Sequence, residues 1–188
     1  MQTGSAFVTA WSAGMAAMML PSELPLIRLD YATARSGART TALVLGYLAV
    51  WNLLAAPVWY LDRLSDGRVL GMHGHGVTAA VLGLAAAYQV TPLKRRCLAV
   101  CRAPLARVLH GWRDGLGGAF RMGVVNGLWC VGCCVGLTAT LLALGMMNVG
   151  WMAAVGVAIV VEKTLPIGAG ASRATAAALA AGAVVVAL

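Results

Sequence analysis

VVNGLWCVGCCVGLTATLLALGMM, residues 124–147, contains no charged residue and is long enough to cross a bilayer core, which takes about 20 apolar residues. Cys130, Cys133 and Cys134 lie in its middle at i, i+3 and i+4. A helix puts such positions on one face. A single cysteine there would read as a small hydrophobe. Three on one face point to chemistry, because a soft metal ion deprotonates and neutralises buried thiols that hydrocarbon would otherwise penalise. Gly123-x3-Gly127 and Gly132-x3-Gly136 flank and overlap them. Small residues at that spacing let a neighbouring backbone approach and bring further ligands to the sulfurs.

The rest of the chain agrees with that segment. Of 188 residues, 61% are hydrophobic and 11% charged, against about 25% charged in globular domains. The composition predicts an all-α, polytopic transmembrane helical bundle forming one integral membrane domain over residues 1–188. Six spans are expected, at 5–20, 40–61, 76–90, 124–147, 149–161 and 174–188. The start of the chain lacks the pattern of a cleavable signal.

The net charge of +8 follows from the loops. All 14 Lys and Arg except Arg63 and Arg68 fall after the first, third and fifth spans. The positive-inside rule then places those loops in the cytoplasm and both termini outside. The charge therefore needs no nucleic-acid partner; the expected partner is the lipid bilayer. Within the cytoplasmic loop at 91–121, Pro92 and Pro104 bracket a short helix, and residues 105–113 alternate basic and apolar like an interfacial helix.

Other sulfur groups extend the pattern. Cys97 and Cys101 are an i, i+4 pair in the basic segment, where a disulfide is unfavoured and neighbouring cations favour a ligating thiolate. Met15, Met18 and Met19 share a face of the first span, and Met146, Met147 and Met152 cluster at the outer turn. Thioethers suit Cu(I) but also fill core gaps. His73 and His75, in a glycine-rich turn, read first as solvated and second as a divalent-metal site. Glu162, beside Lys163 near the end of the fifth span, is a candidate because an ionisable residue at such depth is costly; the alternative is an ion pair near the headgroups. No phosphate-binding loop, haem motif, hydrolase elbow or zinc-protease motif is present, so no catalytic residue is assigned.

Several pieces in order carry a family resemblance: Trp11-x3-Met15-x2-Met18-Met19-Leu20-Pro21, Gly46-Tyr47-x3-Trp51, and Tyr88-Gln89-x-Thr91-Pro92-Leu93-Lys94-x2-Cys97-Leu98-x2-Cys101-Arg102-x-Pro104. Cys130-x-Gly132-Cys133-Cys134, Gly145-x-Met147-Asn148 with Trp151-Met152, and Glu162-Lys163 complete it. The chain resembles a bacterial family of predicted metal-binding integral membrane proteins, catalogued as domain of unknown function 2182. The resemblance implies a polytopic inner-membrane protein whose Cys and Met residues are the basis of the family's metal-binding label. This chain departs from the family where a Trp and a Met usually follow the cysteine pair. Val135 and residues 136–139 stand there, so this chain either lacks that Met or substitutes Met146 or Met147.

Three functions follow. The leading one is binding and translocation of a soft metal, Cu(I) first and zinc second. Cys97 and Cys101 form a cytoplasmic station, Cys130, Cys133 and Cys134 the midplane site, and the outer Met residues the far station. A soluble metal chaperone or a neighbouring membrane subunit would load it. The second is a membrane thiol–disulfide oxidoreductase. The third is a structural or assembly subunit in which the sulfurs are incidental.

Overall fold

The computed structural model describes residues 4–64, 74–145, 148–165 and 168–188. Among the described residues every regular element is helical: α1 Gly4–Ala34, α2 Gly37–Leu53, α3 Ala55–Leu64, α4 His75–Gln89, α5 Pro92–Cys101, α6 Pro104–Gly111, α7 Gly115–Leu144, α8 Val149–Thr164 and α9 Gly168–Ala187. The start signals are local. Ser36 and Thr91 accept the backbone N–H of Arg39 and Lys94, and Asn148 accepts those of Gly150 and Trp151. Pro92 and Pro104 open α5 and α6, where their missing N–H costs nothing.

The all-helical expectation holds, but the span count changes. Three helical stretches among the described residues are long and apolar enough to cross a membrane: Gly37–Tyr60, Gly115–Leu144 and Gly170–Ala187. A fourth arises if α4 and α5, bent by 66° at their junction, count as one broken span. Residues 149–161 fail on length, since α8 has only 16 residues, about 24 Å. The first expected span is not a unit of its own. α1 continues through Pro21 and Pro25, and Ser5, Thr9, Ser12 and Glu23 dilute its apolar character. Such prolines are tolerated where neighbours satisfy the freed backbone groups. The segment 91–121, expected as a loop, is largely helical, and α7 begins within it at Gly115.

α7 is the axis of the fold. α2 crosses it at closest approach, and the glycines explain why. A Cβ on Gly46 would strike the Phe120 carbonyl, and one on Gly123 would strike that of Leu43. At Gly127 it would meet Val50 at 3.0 Å. The Gly123-x3-Gly127 motif thus docks α7 on α2. Gly132 and Gly136 serve α5 and α4: Cβ atoms there would lie 2.7 Å from the Cys97 sulfur and 3.1 Å from the Tyr88 ring. The Tyr88 hydroxyl also donates to the Gly132 carbonyl. α1 and α8 close the other side, with Met18 packed over Gly156. Large apolar side chains face outward, Leu53, Leu84 and Val185 among them, as a lipid-facing surface would require.

Candidate metal centre

α7 places Cys130, Cys133 and Cys134 in the middle of the bundle, each at most 2% exposed. Their sulfurs all lie within 4.8 Å of one another. Cys133 and Cys134 are 3.4 Å apart, and Cys130 and Cys134 are 3.9 Å apart. An ion at the usual metal–thiolate distance of about 2.3 Å would hold three sulfurs about 4 Å apart in a trigonal plane. The observed triangle therefore needs little adjustment to surround a soft ion. All five cysteines are free thiols.

A polar shell surrounds Cys130 in an otherwise apolar core. The Tyr47 hydroxyl of α2 lies 3.0 Å from its sulfur. Lys163 of α8 donates to the same sulfur at 3.0 Å, to Glu23 at 2.5 Å and to the Ser22 hydroxyl at 3.1 Å. An ammonium carries three donors, and these are its three partners. Asn126 of α7 donates to the other Glu23 oxygen at 2.5 Å. A positive charge thus stands beside a sulfur that must become negative on metal binding. A buried carboxylate, with one donor on each oxygen, holds that charge in place.

The second cysteine pair is not a separate station. Cys133 donates to the Cys101 sulfur at 3.7 Å, and buried Cys97 lies against Gly132. The sequence suggests two groups separated in depth; the bend between α4 and α5 turns α5 back onto α7 and joins them. Cys101 is only half-buried, so it is the sulfur of this group nearest to solvent or a partner.

Glu162 does not face the sulfurs. It pairs with Lys94 at 2.6 Å and accepts from Gln89 at 3.2 Å, all three buried. Lys163, which the sequence lets reach toward headgroups, is instead held inside. Met15, Met18 and Met19 are buried in the same core cluster as the cysteines. Met147 and His73 lie outside the described residues, as does Met146. His75 is exposed at the start of α4, about 20 Å along the helix from Tyr88, where α4 meets α7. Burial pulls the Arg107 guanidinium on α6 below its ordinary pKa.

Sequence reading passes over Tyr47, Glu23 and Asn126 as members of the site, and over Lys94 as the partner of Glu162. A signal for three of them exists: Glu23 stands between two helix-interior prolines, Asn126 in a stretch without charge, and Lys94 at the first turn of α5. Polar groups in such places are expensive and seldom idle. Tyr47 carries no such signal.

A bundle built around a buried cluster of soft sulfur donors, with a fixed cation beside it, defines a metal-binding helical protein. The chain matches, over residues 8–186, the family model PpoB2, described as a copper chaperone, and it belongs to that family. The metal-related character implied by the sequence resemblance is therefore copper-related. No curated protein and no solved structure matches the chain.

Proposed function

We propose that this chain is a membrane-embedded copper chaperone of the bacterial inner membrane that receives Cu(I), holds it on Cys130, Cys133 and Cys134, and passes it on by ligand exchange through Cys101. The observation that carries the reading is the buried three-sulfur cluster with Lys163 3.0 Å from one member. Three thiolates and one Cu(I) carry two negative charges. Lys163 offsets part of that charge where hydrocarbon would not tolerate it. Soft thiolates and low coordination number favour Cu(I). Zinc would require a fourth ligand, and Cys101 touches the cluster only through Cys133. The half-buried position of Cys101, 3.7 Å from Cys133, suits a ligand that engages an incoming or departing ion first. Exchange between neighbouring thiolates moves the ion without ever freeing it in the membrane. The basic α5–α6 side faces the cytoplasm in this reading, and copper is the cargo rather than a resident cofactor.

The test is the metal content and X-ray absorption of detergent-purified protein from copper-fed cells. The comparison is the Cys130→Ser/Cys133→Ser/Cys134→Ser variant, with its helicity checked by circular dichroism. About one sulfur-ligated Cu(I) per chain, absent from the folded triple variant, is expected. Absence of metal from both proteins would overturn the proposal. A Cys101–Cys133 disulfide that cycles under turnover would put a thiol–disulfide oxidoreductase in its place.

A further inference from the structure

A concavity of about 630 Å³ opens between the end of α5, α6 and the first half of α7. Its walls differ from one end to the other. Arg113, Arg121 and Gly118 line it around the start of α7, and Val125 and Trp129 line it farther along the same helix face. Gly118 to Trp129 spans about 16 Å of helix. Val100 and Arg107 close the opposite wall. No carboxylate lines the cavity, so its three guanidinium groups have no counter-charge there.

Two further observations point to an anion. Arg107 Nη2 is buried without a hydrogen-bond partner, while Nε of the same side chain reaches only the Val100 carbonyl at 3.4 Å. Buried donors are ordinarily satisfied. The start of α7, a 30-residue helix, also receives no side-chain cap from Asp114. The positive end of its dipole adds to the cationic character of this end.

We infer that this groove binds one anionic phospholipid, its phosphate among Arg107, Arg113 and Arg121 and one acyl chain along Val125 and Trp129. The inference rests on the membrane placement proposed above. An apolar trough with a cationic mouth at a helix start matches a lipid in both parts, whereas free phosphate would use the mouth alone. Arg107 and Val100 are also close in sequence to Cys101, so the lipid braces the corner that presents this thiol to Cys133.

Native mass spectrometry of protein released from mixed vesicles tests this. The vesicles hold equal phosphatidylglycerol and phosphatidylcholine with identical chains. One retained phosphatidylglycerol per chain is expected. Each arginine lost from the exposed pair, as Arg113→Gln and Arg121→Gln, should weaken retention on the order of fivefold. Equal retention of the two lipids overturns the inference, and so does retention indifferent to the double variant. Displacement by millimolar inorganic phosphate would assign the mouth to free phosphate and also overturn it. Carbonate extraction separates the two levels. Release of the chain from membranes removes the membrane reading itself; a chain that stays but shows no lipid preference removes only the groove.

Discussion

Two buried lysine–glutamate pairs, made by adjacent residues of α8, differ in what else they touch. Glu162 reaches Lys94 of α5 at 2.6 Å, and Lys163 reaches Glu23 of α1 at 2.5 Å. Both pairs have side chains at most 6% exposed. Only Lys163 also donates to a sulfur, that of Cys130. The Lys94 pair ties α5 to α8, and α5 carries Cys97 and Cys101. One pair is therefore a clamp that positions the α5 cysteines, and the other lies against the sulfur cluster. Buried pairs are costly to desolvate and seldom justify themselves by stability alone. A clamp and a charge-compensator are two different reasons to keep one.

The largest effect expected is common to both. Lys94→Met and Lys163→Met each strand a buried carboxylate and should destabilise the protein by about 3–5 kcal/mol, read as a lowered unfolding temperature in detergent. Equal and small losses would show that water reaches these pairs. The two separate when the stranded partner is neutralised as well. Lys94→Met/Glu162→Gln should recover most of the stability and keep copper affinity within about twofold, because no charge near the sulfurs has changed. Lys163→Met/Glu23→Gln should recover stability yet bind Cu(I) about ten- to a hundredfold more weakly, about 1.4–2.8 kcal/mol. Competition against a calibrated Cu(I) chelator measures both. If the two double variants bind alike, the division between clamp and compensator is broken.

A smaller effect sharpens the clamp. Gly132→Ala would put a Cβ 2.7 Å from the Cys97 sulfur. Relief requires Cys97 or α5 to move, at about 1–3 kcal/mol for an overpacked contact. Gly83→Ala on α4 meets nothing within 4 Å and should be neutral or slightly stabilising, since alanine favours helix. Copper stoichiometry should survive in both variants. Slower exchange with a thiol acceptor in Gly132→Ala alone would show that the clamp sets the distance between Cys101 and Cys133.

What the sequence discloses divides along the same line. The shared face of Cys130, Cys133 and Cys134 is a matter of helical period and is readable without coordinates. So are the short helix between Pro92 and Pro104, and the docking role of Gly123 and Gly127. The choice of Glu23 for Lys163, and of Lys94 for Glu162, links residues far apart in the chain. No local pattern encodes it, and adjacency suggests the wrong pair, Glu162 with Lys163. The span count erred for a related reason. Hydropathy finds apolar runs, but whether α1 continues through Pro21, or α5 folds back after Thr91, depends on what those segments pack against. That fold-back is also what merges two cysteine groups that look separate on paper.

Tyr47→Phe offers the finest cut. Its hydroxyl lies 3.0 Å from the Cys130 sulfur, and the residue is buried. A hydroxyl that donates to a neutral thiol contributes about as much to the metal-free protein as to the loaded one. One that donates to a thiolate is worth more when the sulfur is charged, because charge-assisted hydrogen bonds are roughly twice as strong. The ring of Phe keeps the packing, so only the hydrogen bond is removed. Copper affinity should then fall about fivefold, about 1 kcal/mol, with unfolding of the metal-free protein nearly unchanged. Lower stability of the metal-free protein with copper affinity unchanged would mean that Tyr47 serves only the fold. A loss in affinity alone would add it to Lys163 as a group whose work begins when Cys130 gives up its proton.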